Sequence, residues 1–318
     1  MAVAALSIAA VSLASGARAI SLATMLGAFT DFNPADFDHQ ALMLFRLPRL
    51  VAACLVGAAL ALAGALMRVV IRNPLAEPQL LGLNAGAALA VVAASAVGLD
   101  PTGALRPFAA ATGAATTFAV VLLLSGLGAG GATPLKVTLS GVIVSAFASS
   151  VTSALLLIDD QALGDLRFWL AGDLAGQAGT HLAVCTAAIG LAVVATFLMA
   201  PRLAVLSLGD QVARGLGVNV RATRILAVAA GAALCGAAVT LAGPIGFIGL
   251  IVPHLVRRML GEGLRLQFTA CLLGGPILLL AADILARQLI APAEIATGVI
   301  TGALGAFFFI ILVARYFR

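Results

Sequence analysis

The stretch Arg46–Ala88, RLPRLVAACLVGAALALAGALMRVVIRNPLAEPQLLGLNAGAA, decides the fold. From Leu50 to Met67 it carries no charge. A helix of that length rises roughly 27 Å, close to the hydrocarbon thickness of a bilayer. Arg68 to Gln79 then form a polar elbow that contains Pro74 and Pro78, and a second apolar run begins at once. The stretch therefore predicts two membrane spans joined by a tight hairpin, with the remaining apolar segments packed against them.

Composition carries this reading to the whole chain. Its 318 residues are 62% hydrophobic and only 10% charged. A soluble surface needs far more charge than that. Backbone groups in lipid must be satisfied inside a helix or a closed barrel. Barrel strands alternate every second residue, whereas these apolar runs are continuous. The expected class is all-α: a polytopic membrane protein of about ten transmembrane helices, with no length left for a soluble catalytic domain. The 34 glycines fit that class, because small residues let membrane helices approach closely. Cys54, Cys185, Cys235 and Cys271 all lie in apolar runs and read as small hydrophobes without disulfide or metal roles.

The first apolar segment, 2–17, reads as an uncleaved helix, since no basic residue precedes it as in a signal peptide. Residues 18–45 form a polar connection with a short interfacial helix suggested by Phe29, Phe32, Pro34 and Phe37. Further spans are expected near 50–70, 79–98, 105–126, 137–158, 180–200, 223–242, 244–260, 267–287 and 296–314. Asp100-Pro101, the Gly126–Pro134 cluster, Pro201, Gly243-Pro244 and Pro292 act as the breakers. Trp169, the single tryptophan, is expected to anchor the outer interface.

Charge fixes an orientation. With both termini in the cytoplasm, Arg68, Arg72, Lys136, Arg202, Arg214, Arg221, Arg224, Arg257, Arg258, Arg265, Arg315 and Arg318 fall inside. Only Glu77, Asp210 and Glu262 join them there among the acids, while Asp31, Asp36, Asp38, Asp100, Asp159, Asp160, Asp165, Asp173 and Glu294 fall outside. That is the positive-inside bias. The chain is expected to be one transmembrane domain, 1–318. Its halves, about 1–200 and 223–318, are joined by a cytoplasmic loop, 201–222. Ten spans in all allow an inverted five-plus-five repeat.

Catalytic chemistry is hard to find. The single lysine, Lys136, lies outside any phosphate-binding loop. His39, His181 and His254 fit no metal spacing, and no nucleophile stands beside a base. What remains is polar residues at the membrane boundaries. In the loop 201–222, the glycine-bounded segment of Gly209, Asp210, Gln211, Val212, Ala213, Arg214, Gly215, Leu216 and Gly217 reads equally as a docking knob for a soluble partner or as a basic loop held by headgroups. Arg46 and Arg49, three apart, share one helical face. They could fork onto a partner's carboxylates or snorkel to the interface. Asp283 is an intramembrane carboxylate and so a functional candidate. Its i, i+4 partner Arg287 would neutralise it, which makes the two a structural pair.

Several segments, taken together and in order, resemble one family. They are RLPR (46–49), RNPLAEPQLLGLNAGAAL (72–89), LSLGDQVARGLG (206–217), AGPIGFIGLIVPHLVRRMLG (242–261) and LLAADILARQL (279–289), with Glu294 and Gly298 following. This set is similar to the FecCD permeases of type II ABC importers, which serve iron-siderophore, haem and cobalamin uptake. The resemblance implies a ten-helix permease in the cytoplasmic (inner) membrane, working as a homodimer or with a close paralogue. It implies two cytoplasmic ABC ATPase subunits and a periplasmic or lipid-anchored binding protein as partners, with no nucleic acid. ATP and Mg would sit on the ATPase, so this chain itself holds no cofactor and hydrolyses nothing.

The resemblance also assigns roles. Gly209–Gly217 would dock the ATPase. Arg46, Arg49 and Arg287 would meet the binding protein. Asn73, Pro74 and Leu75 would help to close the cytoplasmic end of the pathway, with Gly128–Lys136 beside them. Arg68 departs from the glutamine common in relatives, and reads either as a cation favouring an anionic ferric chelate or as ordinary positive-inside charge. His254, beside Pro253, belongs to a proline kink. A ferric siderophore is the expected cargo, with haem or cobalamin the alternative. A reading of another class is a secondary transporter driven by an ion gradient. It needs a buried, unpaired carboxylate, and Asp283 is the sequence's candidate.

Overall fold

The computed structural model describes residues 1–15, 20–73, 76–79, 81–99, 105–127, 133–158, 169–174, 181–261, 263–291 and 293–316. These residues are helical, with no strand among them. In order the helices are α1 (Ala2–Ala14), α2 (Leu22–Thr30), α3 (Phe37–Gln40), a π-helical turn (Ala41–Arg46), α4 (Leu47–Ile71), α5 (Leu83–Ala96) and α6 (Arg106–Gly126). Then come α7 (Pro134–Ile158), α8 (Leu182–Ser207), α9 (Asp210–Gly215), α10 (Val220–Ala242), α11 (Ile248–Leu260), α12 (Leu264–Gln288) and α13 (Thr297–Tyr316). Six apolar stretches are long enough to cross a bilayer: Phe37–Ile71, Arg106–Gly126, Leu135–Ile158, Leu182–Ser207, Val220–Ala242 and Leu264–Gln288. The shorter apolar helices α1, α5 and α13, with α11, bring the set to the expected ten.

Two expectations are corrected. α8 does not stop at residue 200 but runs through Pro201 to Ser207. Membrane helices tolerate an internal proline where neighbouring groups satisfy the freed carbonyl. Among the described residues six spanning elements precede the 201–222 loop and four follow it. Trp169 is buried at 4% exposure and does not stand at an interface. Its carbonyl accepts the Gly172 N–H and lies 1.8 Å from where a Cβ on Gly243 would stand, so the 169–172 turn is pressed onto the start of the α10–α11 connection.

α4 is the hub. It packs on α12, α10, α11 and α8. Glycine sets how close two of these come. A Cβ on Gly57 would stand 2.6 Å from the Gly275 backbone of α12. One on Gly64, two turns along, would stand 2.0 Å from the Gly249 carbonyl oxygen of α11. Residues seven apart share a helix face, so one stripe of α4 meets both neighbours backbone to backbone. That replaces hydrophobic drive, which lipid does not supply between helices.

The second constraint is polar. Between α10 and α11 the chain is irregular through Gly243–Phe247, with positive φ at Gly243 (68°) and at the non-glycine Phe247 (67°). Its polar groups are met by the elbow between α4 and α5. The Glu77 carboxylate accepts the Phe247 N–H. The Asn84 amide donates to the Ile245 carbonyl at 2.8 Å. Gln79 fills the space over Gly246, whose added Cβ would stand 1.6 Å from its Oε1. Glu77 and Asn84 are each 2% exposed. Burial pushes the Glu77 carboxyl up to about 7, against the opposing pull of the Phe247 N–H and the Arg68 charge.

Two measurements test these constraints. Gly64→Leu drives a side chain into the Gly249 backbone, which cannot rotate away. It is expected to cost more than the ~1–3 kcal/mol of ordinary overpacking and to abolish recovery of monodisperse protein, while Gly190→Leu, at a site with open space around it, is tolerated. At Glu77, the native carboxyl keeps its proton up to about pH 7, whereas an unfolded carboxyl releases it in the ordinary carboxylate range. Stability from this site is therefore expected to fall as pH rises through that window. Glu77→Gln, which still accepts from Phe247, flattens the dependence, and Glu77→Ala costs about 1–3 kcal/mol at every pH. Thermal unfolding in detergent between pH 5 and 8 reads both effects.

Candidate functional site

The residues singled out in the sequence gather at the two ends of the bundle. At one end the C-termini of α1 and α12, the start of α4 and the α12–α13 connection meet. Asp283 is fully buried at their centre. Its Oδ1 accepts Arg49 Nε at 3.0 Å, Arg49 Nη2 at 2.8 Å and Thr297 Oγ1 at 3.1 Å. Its Oδ2 faces Arg287 Nη2 at 3.0 Å. The i, i+4 pair read from sequence is thus present, with a second guanidinium added from α4. Arg49 then turns Nη1 to Glu294 Oε2 at 2.8 Å. Two cations and two anions balance, as burial of charge demands. Asp283 is therefore not the unpaired carboxylate that ion-gradient coupling needs.

The other arginine contacts end α1. Arg46 Nη1 donates to the Leu13 carbonyl at 2.6 Å and the Ala14 carbonyl at 3.1 Å. Arg287 Nη1 donates to the carbonyls of Ser15 (2.8 Å) and Ser12 (3.3 Å), and its Nη2 to Ser12 Oγ (2.9 Å). A helix C-terminus leaves its last carbonyls unpaired and carries partial negative charge. Both arginines meet that need. So Arg46, Arg49 and Arg287 are brought together as the sequence predicted, each engaged within the chain. Arg287 is buried at 8% exposure, while Arg49 and Glu294 form the accessible rim.

The opposite end centres on Asp210, the first residue of α9. Its Oδ1 accepts Arg72 Nη2 from the end of α4 and Arg224 Nη2 from the first turns of α10, both at 2.8 Å. Gly209, at φ 118°, and Gly217, at φ 78°, take backbone conformations that side chains resist, and they bracket the short helix. Leu208, Val212 and Leu216, four apart, are exposed, while Ala213 is buried. α9 is thus fastened by its acid, with Val212 exposed on it and Leu208 and Leu216 exposed on either side. Asn73 reaches Thr138 Oγ1 on α7 at 3.4 Å, which ties the elbow to the start of that helix. Pro74, Leu75 and residues 128–132 of the neighbouring loop lie outside the described residues. His254 packs edge-on against Phe308, joining α11 to α13. Among the described residues no His, Cys, Asp and Glu cluster could hold a metal ion.

Sequence reading missed the partners Ser12, Ser15, Glu294 and Thr297 at one end, and the fork of Asp210 onto Arg72 and Arg224 at the other. It also missed Glu77 as a buried carboxylate. Asp283 and Arg49 are 234 residues apart, and only the i, i+4 pair has a local signature.

The FecCD transport family matches residues 4–315. The iron(3+)-hydroxamate import system permease protein FhuB of Bacillus subtilis is 40% identical, over 96% of this chain and 79% of its own length. The ferric enterobactin transport system permease protein FepD of Escherichia coli is 37% identical, over 97% and 92%. The hemin transport system permease protein HmuU of Yersinia pestis is 37% identical, over 94% and 90%. A solved structure of a metal-chelate type ABC transporter in an inward-facing conformation superposes with a TM-score of 0.83 at 29% identity, covering 99% of this chain and 97% of that one. With its helical bundle, its buried arginine–carboxylate cluster and its α9 helix in place, the chain belongs to the FecCD transport family.

Proposed function

We propose that this chain is the membrane permease of an ABC importer, moving a ferric siderophore inward by alternating access driven by separate ATPase subunits. The observation that carries this reading is α9, a short helix held to two spanning helices by one carboxylate and offering Leu208, Val212 and Leu216 to a partner. Force on α9 passes through Asp210 directly into α4 and α10. ATP and Mg bind the ATPase, and this chain contributes no hydrolytic residue. Asn73, with Pro74 and Leu75, closes the inner mouth, tethered through Thr138 to α7.

At the outer end, Arg46 and Arg49 receive carboxylates of a binding protein, with Arg287 behind them. Glu294 holds the Arg49 fork until a partner's carboxylate replaces it. A second copy or a close paralogue completes the pathway. The outward apolar faces of α7 and α13, with Leu139, Ile143, Phe147, Phe307 and Ile310 exposed, support a partner there. Both termini lie in the cytoplasm, as the charge bias requires. Ferric siderophore is the preferred cargo on the likeness to the relatives named for hydroxamate and enterobactin transport, and the relative named for hemin, which matches as fully, keeps haem as the alternative.

Asp210→Ala is expected to cost little stability, since exposed pairs contribute at most about 1 kcal/mol each, while it uncouples α9 from the bundle. Proteoliposome uptake with the cognate ATPase and binding protein should fall by at least severalfold at unchanged expression. Uptake at the wild-type rate would remove α9 as the transmission point. At the other end, Glu294→Gln frees the Arg49 fork and should tighten binding-protein docking, while Arg46→Glu should weaken it and reduce its salt dependence. Surface plasmon resonance on nanodisc-embedded transporter reads both. Identical affinities for the two variants would take the arginine rim out of the docking surface.

A further inference from the structure

A cavity of about 390 Å³ opens at the α9 end of the bundle, between α4, α8, α11 and α12. Arg68, Arg72 and Arg257 line it, with Ser207 and Gln267. Among the described residues that line it, none is acidic. Arg68 is the telling residue. Among the described residues its guanidinium has a single hydrogen bond, from Nη2 to the Leu250 carbonyl at 2.7 Å. Its Nε is buried and has no partner. A desolvated cation with one neutral hydrogen-bond acceptor, and the Glu77 carboxyl in range but not bonded to it, is costly, and an anion in the cavity would relieve it.

Asn73 of the elbow also lines the cavity, and the rest of the wall is apolar: Ala65, Val69, Leu208, Pro253 and Leu264. Leu266 on α12 and Met259 on α11 are exposed. α8 and α12 share few contacts, among them the edge-on pair Phe197–Phe268, so the seam between them is apolar. A basic floor beside an apolar seam, at the boundary of a membrane, is the arrangement that captures lipid phosphate. Arginine's planar fork suits phosphate oxygens.

We propose that this cavity is a phosphate site that holds the phosphodiester headgroup of an anionic phospholipid, its acyl chains leaving between α8 and α12. The site joins α4 and α11, the helices that carry the elbow and the broken connection, to α8, which leads into α9. Its occupant therefore steadies the region through which α9 would act. The inference rests on the membrane placement of the bundle and is independent of the cargo.

Native mass spectrometry of the full chain, released from micelles doped with phosphatidylglycerol, cardiolipin or phosphatidylcholine, tests it. Retained phosphatidylglycerol or cardiolipin, with little phosphatidylcholine, is the expected result. Arg68→Gln and Arg257→Gln should each cut that retention by about fivefold, the share of one arginine at an anionic surface. Arg68→Lys should restore part of it, which separates charge from folding, and Arg257→Gln carries the test if Arg68→Gln fails to fold. Displacement of the lipid by millimolar inorganic phosphate would uphold the phosphate site and make free phosphate its occupant. Equal retention of all three lipids, or no loss in either glutamine variant, would overturn the proposal. So would loss of the lipid on assembly with the ATPase, because a partner's acidic side chain would then be the occupant.

Discussion

The molecule depends on one requirement: the broken backbone between α10 and α11 must find its polar partners inside the protein, because lipid offers none. An unsatisfied peptide group there costs several kcal/mol. Glu77 and Asn84 supply partners for Phe247 and Ile245. They stand on the elbow between α4 and α5, so two irregular segments from distant parts of the sequence lock face to face. Everything around them must then be placed to match. Gly64 and Gly249 bring α4 against α11 closely enough for the elbow to reach, and the Trp169 turn seals the far side of Gly243.

From that lock the bundle's two ends are fastened differently. One end is closed by a cluster in which the buried Asp283 holds Arg49 and Arg287, and the last carbonyls of α1 are captured by Arg46 and Arg287. Removing one member of such a cluster leaves a buried charge uncompensated, at about 3–5 kcal/mol. The other end is held by exposed contacts of Asp210, each of at most about 1 kcal/mol. A permease moved from its cytoplasmic side would need this asymmetry. In the proposed importer the tight end would serve as a pivot, and the loose end would yield to a partner.

Much of this was legible in the letters. The spans from α4 to α13 follow from apolar runs and their breakers, because in lipid a continuous apolar run has few alternatives to a helix. The Asp283–Arg287 pair was legible because its spacing is local. The glycines around Asp210 announced a short bracketed helix. Less visible were contacts that depend on which helices become neighbours. Nothing near Arg49 points to Asp283, 234 residues away. Glu77 read as a cytoplasmic acid because its burial is decided by α11. Pro201 read as a helix end because proline breaks soluble helices, whereas here the bundle carries α8 past it. Trp169 read as an interface anchor because its amphipathic ring usually sits there. The glycine at position 243, by leaving room for the Trp169 backbone, drew it into the core.

The uneven packing of the spans completes the mechanical picture. α4 and α10 are buried along most of their length, whereas α7 and α13 keep broad apolar faces uncovered. α4 cannot shift alone, since its glycine stripe meets α11 and α12 backbone to backbone, and a slide of even one residue would bring side chains into those contacts. α7 is tied to the elbow by polar contacts from Thr138 and Ser145, with no such interlock. A bundle built this way has a stiff centre and compliant flanks. In the proposed importer a push at α9 would enter the stiff centre through Arg72 and Arg224, and the displacement would be taken up along sparsely covered helices such as α7 and α13. If a second copy closes the pathway on those faces, as proposed, the compliance lies where alternating access would use it.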